Sequence, residues 1–348
     1  MFNSEAQGVI GGSEIDLYYL ATELAQDQVF EVSFVVADYG QAEDEIHEGV
    51  RVLRSLDFTK NALSGGCRIW GALGRADAQV YLMKTFSPGT PLVRWFCRRR
   101  GRVFIYRTAH RYDCDGTYMR RRRFWGRAFA WSLHGAQEVL AQNETDAELL
   151  AETLGVSARV IPNGHRLPSM VQKKRDIILW VGRTTDFKRP ELFMELARQH
   201  PTENFCMICQ QATEDKEYRQ TVEKAQGVEN LEFIRYVPFH QVEEYFQRAR
   251  LLVNTSDAEG FPNTFIQACK CEAPILSLNV NPDGFLDKQR CGVCAGGDWE
   301  VFGRELRRML ESDRAAEYGA NGRRYVEENH DIKKIIEQYK SIFRELAG

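Results

Sequence analysis

The stretch NTSDAEGFPNTFIQACKCEAPIL, residues 254–276, leads from an apolar run through a polar turn into a helical pattern. The run just before it, residues 249–253, is typical of a buried strand, and the helix is expected to begin near Thr264. Asn263 or Thr264 can cap this helix, whose free N–H groups and positive dipole end favour an anion. Glu259 in the turn adds a carboxylate that can bind sugar hydroxyls. These residues alone also fit an ordinary connection from a strand to a helix in a parallel sheet.

Strand and helix patterns alternate along the 348 residues. The predicted strands are at residues 29–36, 50–53, 79–83, 103–107, 138–141, 176–181, 205–209, 231–234, 249–253 and 274–278. The predicted helices are at residues 15–25, 69–73, 92–99, 144–154, 189–198, 242–249, 299–312 and 332–346. Such alternation predicts an α/β protein with parallel sheets that carry helices on both faces.

The alternation restarts after a polar segment, residues 166–174, which we interpret as a hinge. The chain is therefore predicted to form two domains of ordinary size, residues 1–167 and 168–331. The final helix, within residues 332–348, is predicted to pack back on the first domain.

Composition excludes several classes of protein. A net charge of −3 and a pI near 6.2 argue against a dedicated nucleic-acid binder. No apolar run approaches the roughly 18 residues of a membrane-spanning helix. The first residues, MFNSE, have neither the basic start nor the apolar core of a signal peptide, so the expected compartment is the cytoplasm.

Nine cysteines raise the question of a metal site, because Cys206 and Cys209 form one C-x-x-C pair and Cys291 and Cys294 another. The first pair lies in an apolar run, CMIC, in which neighbouring side chains point to opposite faces of a strand. That run fits a buried strand better than a zinc site. We therefore expect reduced thiols in the cores, as a cytosolic chain would hold them.

Four motifs, taken in order, resemble the family 4 retaining glycosyltransferases of the GT-B fold. They are Gly11-Gly12-x-Glu14, the run IPNG at residues 161–164, Val181-Gly182-Arg183 followed by Lys188, and the run from Glu259 to Gln267. The resemblance covers nearly the whole chain and implies two Rossmann-like domains that face each other across a cleft. It further implies transfer of a hexose from a nucleotide diphosphate sugar, UDP in preference to GDP, to a glycan or lipid-linked glycan. The anomeric configuration would be retained, and neither a metal nor another cofactor is expected.

The resemblance also implies a role for individual residues. Arg183 and Lys188 would neutralise the diphosphate, whose negative charge grows in the transition state. Glu259 would hold hydroxyls of the donor sugar, and His110 would approach the same sugar. The other residues expected to bind the donor are Gly11, Gly12, Gly182, Val237, Gly260, Phe261, Pro262, Asn263, Thr264 and Gln267.

The sequence departs from the family pattern at several points. Gln267 stands where the family has a second Glu for the ribose, and Gln keeps an acceptor but loses the charge. Arg111 replaces an Asp beside His110, and Cys209-Gln210-Gln211 replaces a glycine-rich strand end. Met1 falls where the first strand of the first domain should have ended, so we expect that strand to be absent and the chain to be a truncated form. The alternative functions are a non-catalytic GT-B protein that binds nucleotide or glycan, and, less well supported, a GT-B epimerase.

Charge is unevenly distributed, because the first sixty residues are acidic and residues 84–127 are strongly basic. Aromatic residues are interleaved with the basic ones. The two densest runs are Arg98-Arg99-Arg100 and Arg120-Arg121-Arg122-Arg123. Such a pattern indicates either a peripheral contact with an anionic membrane or a solvated helix face.

Overall fold

The computed structural model describes residues 11–121, 123–170, 175–211, 216–311 and 314–347. Their contacts divide the chain into two compact units. The N-terminal unit contains Ser13–Gly164 and the last helix, which begins at Ile332. The C-terminal unit contains His165–Asp331 and also Gly11 and Gly12. Residues 171–174 of the predicted hinge lie outside the described residues.

The N-terminal unit alternates strands and helices from its start. Its elements are α1 (Gly12–Leu24), β1 (Ser33–Val36), β2 (Asp44–His47), β3 (Val50–Arg54), α2 (Ala62–Ala76), β4 (Val80–Lys84), α3 (Gly89–Arg100), β5 (Val103–Arg107), α4 (Thr117–Arg121), α5 (Arg123–His134), β6 (Glu138–Ala141), α6 (Glu144–Leu154) and β7 (Arg159–Val160).

The described strands of this unit form two sheets. Strands β4, β5, β6 and β7 are parallel and adjacent in that order. In the other sheet, β3 pairs in parallel with β1 and antiparallel with β2. The sequence did not predict β2, because its residues, DEIH, are mostly charged and it pairs through its backbone across a tight turn. Glu48 and Gly49 form that turn with positive φ angles of 49° and 78°, the geometry that two-residue hairpins favour.

The predicted absence of a first strand concerns residues 1–10, which lie outside the described residues. It therefore stays a prediction. Among the residues that the structure does describe, β1 and β4 belong to different sheets.

The C-terminal unit is a regular doubly wound domain. Its elements are β8 (Ile177–Arg183), α7 (Pro190–Gln199), β9 (Phe205–Gln210), α8 (Lys216–Gln226), β10 (Leu231–Ile234), α9 (Val242–Arg248), β11 (Ala249–Asn254), α10 (Asn263–Lys270), β12 (Ile275–Ser277), α11 (Phe285–Lys288), β13 (Gly292–Cys294), α12 (Trp299–Glu311) and α13 (Arg314–Asn329). The last helix of the chain, α14, spans Ile332–Ala347.

Six parallel strands form the sheet of the C-terminal unit in the order β10-β9-β8-β11-β12-β13. Buried apolar residues form one cluster with α10 and a second cluster with α7 and α12. This is the Rossmann strand order, in which the direction of winding reverses between β8 and β11. The predicted α/β class and the predicted parallel sheets are confirmed.

Helix α14 completes the core of the N-terminal unit. Ile335, Ile336, Tyr339 and Ile342 on one face of α14 are buried among residues of α1, β5 and β6. Since these positions repeat every three or four residues, they form a continuous apolar stripe.

All nine cysteines are free. Cys206 and Cys209 lie in β9, as predicted, and both are buried. Burial raises the pKa of each of these two thiols to about 12. They are therefore packed in the core as neutral thiols.

In the part of the chain that the structure describes, none of the helices combines the length and the apolar composition needed to span a membrane.

Candidate active site

The candidate site lies at the carboxyl ends of β8 and β11, which pair in parallel. Strand β8 ends at Arg183 and its loop carries Lys188, while the loop after β11 carries Glu259. Open α/β sheets bind ligands where the strand order reverses, because the loops on either side diverge there. The sequence placed all three residues on these two loops, and the strand order brings the loops side by side.

Glu259 and Lys188 form an ion pair. The Nζ atom of Lys188 lies 2.6 Å from Oε2 of Glu259, and the two side chains are only 17% and 12% exposed. The other carboxylate oxygen, Oε1, accepts hydrogen bonds from Ser256 Oγ at 2.7 Å and from Asn254 Nδ2 at 3.0 Å. The carboxylate is thus held by three groups in one orientation.

The environment of Glu259 keeps it ionised. Burial alone would raise the pKa of its carboxyl group, but the charge and hydrogen bond of Lys188 act in the opposite direction. The hydrogen bonds from Ser256 and Asn254 add to this effect, so the pKa lies below its usual value. Glu259 is therefore an acceptor for hydroxyl groups and not a proton donor near neutral pH.

A second set of hydrogen bonds ties the two loops together. Thr255 Oγ1 donates to the carbonyl oxygen of Lys188 at 2.8 Å and accepts from Trp180 Nε1 at 3.0 Å. The backbone N–H of Asp257 donates to the carbonyl oxygen of Phe187 at 2.7 Å. The separation between Lys188 and Glu259 is therefore fixed by the surrounding backbone.

Arg183 differs from Lys188, because its side chain is exposed. Among the described residues, its guanidinium group has neither an ion-pair nor a hydrogen-bond partner. Gly182, just before it, packs against Trp180, and a Cβ atom there would lie 2.7 Å from the indole ring. Gly182 therefore has a packing role that accounts for it without a ligand. Arg189, in contrast, pairs with Glu191 at 2.6 Å and belongs to the surface.

The start of helix α10 departs from the prediction. The residue before the helix is Pro262, and no side chain caps it, so the prediction that Asn263 or Thr264 caps α10 is wrong. The side chain of Asn263 is engaged elsewhere. Its Oδ1 lies 2.9 Å from Nε2 of His165, and its Nδ2 donates to the carbonyl oxygen of Gly12 at 2.7 Å. The first N–H groups of α10 are thus left without a side-chain cap.

The remaining predicted donor-binding residues are mostly buried. Gly260, Pro262 and Val237 are buried, and Thr264 is half-buried in the first turn of α10. Phe261 packs its ring against Phe285, with ring centres 5.3 Å apart, so only its backbone is available to a ligand. Gln267 is 8% exposed, which excludes the interpretation as an ordinary surface residue.

His110 belongs to the N-terminal unit, where it follows β5 and caps a short turn. Its Nδ1 accepts a hydrogen bond from the N–H of Tyr112 at 3.1 Å. The carboxylate of Asp113 in turn accepts from the N–H groups of Ala109 and His110 at 2.7 and 3.2 Å. Burial raises the pKa of Asp113 to about 6. The imidazole is therefore held in a fixed orientation at the end of its strand.

The sequence did not reveal a buried charged cluster at the carboxyl ends of β4 and β5. Lys84 Nζ lies 2.5 Å from Oδ2 of Asp16, and Arg107 Nε lies 3.0 Å from the same oxygen. Arg107 also donates to Oδ1 of Asn163 at 2.7 Å. Two cations thus share one carboxylate with almost no exposure to solvent. The available signal was a basic residue at the end of each of two predicted strands.

Burial lowers the pKa of Lys84 to about 8, with Asp16 raising it and Arg107 lowering it further. Since the unfolded chain keeps a pKa near 10.5, it binds more protons than the folded chain between about pH 8 and 10.5. The free energy of unfolding therefore rises with pH across that window. Below it, the buried ammonium group of Lys84 is charged, and its desolvation opposes folding.

Replacing Lys84 by Met is accordingly expected to raise the stability of the N-terminal unit at pH 7 by about 1–3 kcal/mol, because Asp16 keeps Arg107 as its partner. The gain should shrink towards pH 10, where the native Lys84 is mostly neutral. Hydrogen exchange of the β4 and β5 amides at both pH values measures it. Lys60→Met, at an exposed position of the same unit, is the control. A loss of stability of equal size at both pH values would contradict this account.

Comparison with known proteins identifies the family of the chain. Residues 166–325 match the family model described as Glycosyl transferases group 1, and residues 10–167 match the one described as Glycosyltransferase Family 4. The fold and these two matches define a glycosyltransferase of the GT-B type. The chain belongs to the group 1 glycosyltransferases. No curated protein matches the sequence.

Solved structures share the fold at low sequence identity. Sucrose-phosphate synthase from Thermosynechococcus elongatus superimposes with a TM-score of 0.83 at 16% identity, over 99% of this chain and 96% of that chain. The α,α-trehalose 6-phosphate synthase from Burkholderia multivorans gives a TM-score of 0.74 at 9% identity, over 97% and 95%. TarM from S. aureus, in a complex with fondaparinux, α-GlcNAc-glycerol and UDP, gives 0.66 at 17% identity, over 82% and 59%. These likenesses establish two Rossmann-like domains.

Proposed function

We propose that this glycosyltransferase moves a hexose from a nucleoside diphosphate sugar to a hydroxyl group of a glycan or lipid-linked glycan, with retention of the anomeric configuration. The observation that carries the proposal is the arrangement of Arg183, Lys188 and Glu259 at the point where the sheet reverses its winding. It offers two cations and one fixed carboxylate to a single ligand. A sugar linked to a diphosphate has the matching groups, two anionic phosphates and a ring of hydroxyls.

The leaving diphosphate needs stabilisation, because it gains negative charge as the glycosidic bond breaks. Arg183 can bind two phosphate oxygens at once, whereas Lys188 acts as a point charge. The N–H groups at the start of α10 lie beside the Glu259 loop. They add hydrogen-bond donors that, like the two cations, favour a negatively charged ligand. These groups take the role that a divalent cation has in other transferases, so we propose transfer without a metal.

Donor binding is proposed to rearrange the Lys188–Glu259 ion pair. In the free site the two charges neutralise each other at 2.6 Å. A bound donor gives Lys188 a phosphate partner and gives Glu259 a sugar hydroxyl, so both side chains keep a partner in both states. Selectivity follows, since a free nucleotide satisfies Lys188 but offers no sugar hydroxyl to Oε2 of Glu259, the oxygen that Lys188 would leave.

UDP is the nucleotide we propose in preference to GDP. Support comes from TarM, a neighbour in fold whose structure is described with UDP bound. The decisive experiment incubates the chain with UDP- and GDP-sugars and a panel of glycan and lipid-linked acceptors, and measures the nucleotide released. Nuclear magnetic resonance of the product then gives the anomeric configuration. Release from neither nucleotide class with any acceptor would overturn the proposal.

The second candidate function is a non-catalytic protein that binds nucleotide or glycan. Gln267 is the observation that favours this second function, because its side chain is neutral where the resemblance implies a carboxylate for the ribose. Nucleotide binding in calorimetry, together with no turnover across the whole panel, would favour this second function.

Replacing Gln267 by Glu is expected to tighten UDP binding. Gln267 is buried on α10, and a charged acceptor for a ribose hydroxyl contributes roughly 1.5–3 kcal/mol, equivalent to at least a tenfold lower Kd. Titration calorimetry with UDP measures the change. Gln199→Glu, the same substitution at an exposed position of α7, is the matched control. Equal or weaker binding by Gln267→Glu would remove this residue from the ribose site.

A further inference from the structure

Helices α3, α4 and α5 of the N-terminal unit carry no acidic residue. Across residues 84–134 the chain has thirteen lysines and arginines against two aspartates, one of which, Asp113, is buried. The exposed part of this region has both cationic and aromatic side chains. We call it the arginine–aromatic surface and define it by Trp95, Arg98, Arg99, Phe124, Arg127 and Trp131.

Helix α5 separates its faces clearly. Phe124, Arg127 and Trp131 are exposed and follow one another at spacings of three and four residues, so they lie along one side of the helix. Phe129 and Leu133 on the opposite side are buried in the core. The stripe is therefore exposed because α5 packs against the core through its opposite side.

Helix α3 places a second stripe beside the first. The two helices are in contact, and the guanidinium carbon of Arg94 on α3 lies 5.6 Å from the ring centre of Trp131 on α5. Trp95 on α3 lies next to Trp70 of α2, with ring centres 4.9 Å apart, and exposes its outer side. Arg98 and Arg99 extend the same face of α3 towards its end. The two stripes thus form one continuous surface.

The aromatic rings of the surface are exposed, and its arginines are not neutralised. Phe124 is 75% exposed, Trp95 51% and Trp131 41%. Within the described ranges, the guanidinium groups of Arg98, Arg99 and Arg127 form no ion pair and no hydrogen bond. Arg308 on α12 differs, because its guanidinium group pairs with Glu305 at 2.7 Å. Apolar rings in a cluster of unneutralised cations indicate a surface that a partner covers.

We propose that the arginine–aromatic surface binds the headgroup region of an anionic lipid bilayer. The arginines are attracted by anionic headgroups, and Trp and Phe insert at the boundary between headgroups and acyl chains. A nucleic acid or an acidic glycan would satisfy the arginines but would leave the exposed Phe124 ring without an apolar environment. The inference extends the proposed function only by favouring a lipid-linked acceptor over a free glycan.

The test measures binding of the full chain to vesicles of phosphatidylcholine alone and of phosphatidylcholine mixed with phosphatidylglycerol. Binding is expected only to the mixed vesicles and should weaken as salt screens the charges. Each arginine lost should weaken it about fivefold, so Arg98→Ser/Arg99→Ser should lose more than tenfold. Phe124→Ser, which changes no charge, should also lose about tenfold because a buried aromatic ring is removed.

Arg304→Ser/Arg308→Ser on α12 makes the same change of charge elsewhere and should bind vesicles as the native chain does. Circular dichroism and UDP binding establish that each variant is folded, and they separate a failure of this proposal from a failure of the proposed function. If Arg98→Ser/Arg99→Ser does not fold, Arg123→Ser/Arg127→Ser serves in its place. Unchanged binding by Phe124→Ser, or equal binding to heparin and to mixed vesicles, would overturn the proposal in favour of a general polyanion site.

Discussion

Replacing Arg183 by Ala is expected to lower kcat about 10²–10³-fold, the usual cost of losing one donor that stabilises developing charge. The free energy of unfolding should change by no more than about 0.5 kcal/mol, because the side chain is exposed and has no partner among the described residues. The substitution is therefore expected to lower turnover without destabilising the fold. Initial rates of nucleotide release at saturating donor, together with chemical denaturation, measure both quantities.

Arg189→Ala is the matched control for this variant. Arg189 lies six residues further along and has the same charge, but it is paired with Glu191 and Asp257. Its loss should leave turnover within about twofold of the native value, as expected for a surface ion pair. Similar rates for Arg183→Ala and the native chain would show that the diphosphate lies elsewhere.

Replacing Lys188 by Ala is expected to reduce turnover by a similar factor and also to destabilise the C-terminal unit. The ion pair with Glu259 is largely buried, and removal of one partner of such a pair costs about 3–5 kcal/mol. The structure adds the stability loss, because Glu259 would be left as a buried charge without its cation.

The double variant Lys188→Ala/Glu259→Ala separates the two effects. It should recover most of the stability, since no uncompensated charge remains, but none of the turnover. The pH dependence gives a further check. Glu259 has a lowered pKa in the folded chain, so its stabilising contribution is present above the pKa of the unfolded chain and is lost as pH falls. Lys188→Ala should lack that acid-side loss, and stability curves that retain it would contradict the role given to the ion pair.

Much of the site could be predicted because its residues follow strands. Arg183, Lys188 and Glu259 lie on loops directly after apolar runs, and parallel strands bring such loops to one edge of the sheet. The ion pair itself could not be predicted. It depends on β8 and β11 being neighbours, although about seventy residues separate Lys188 from Glu259 in the chain. Local patterns contain no information about that pairing.

The prediction of a side-chain cap for α10 was wrong for the same reason, a contact between residues that are far apart in the chain. Asn263 and Thr264 are residue types that favour the N-cap position. His165 overrides that preference, because its imidazole lies 2.9 Å from the Asn263 oxygen that would have capped the helix. His165 is ninety-eight residues away in sequence, and nothing near Asn263 indicates the contact. The sequence did not predict the parts of the site that depend on such long-range contacts.

Missed helices have a more local explanation. Four of the first five residues of α5 are exposed, and they include both charged and aromatic side chains: Arg123, Phe124, Trp125 and Arg127. The apolar residues of α5 therefore do not follow the helical spacing that would identify a buried face. Helices α8 and α13 are rich in charge and bury few side chains. In α2 the predicted five residues extend to fifteen, because glycines such as Gly65 lower helix propensity but are needed for packing. A Cβ atom on Gly65 would lie 2.5 Å from Leu56.

The packing of α14 has a consequence for how the chain acquires its structure during synthesis. Nearly all of the C-terminal unit is one continuous segment, His165–Asp331, whereas the core of the N-terminal unit needs four residues of α14, which follows that segment: Ile335, Ile336, Tyr339 and Ile342. The ribosome must therefore synthesise the whole segment His165–Asp331 before the N-terminal unit can close its core. The half that is translated first is the half that matures last, and until then its apolar sheet face is exposed to chaperones and to aggregation.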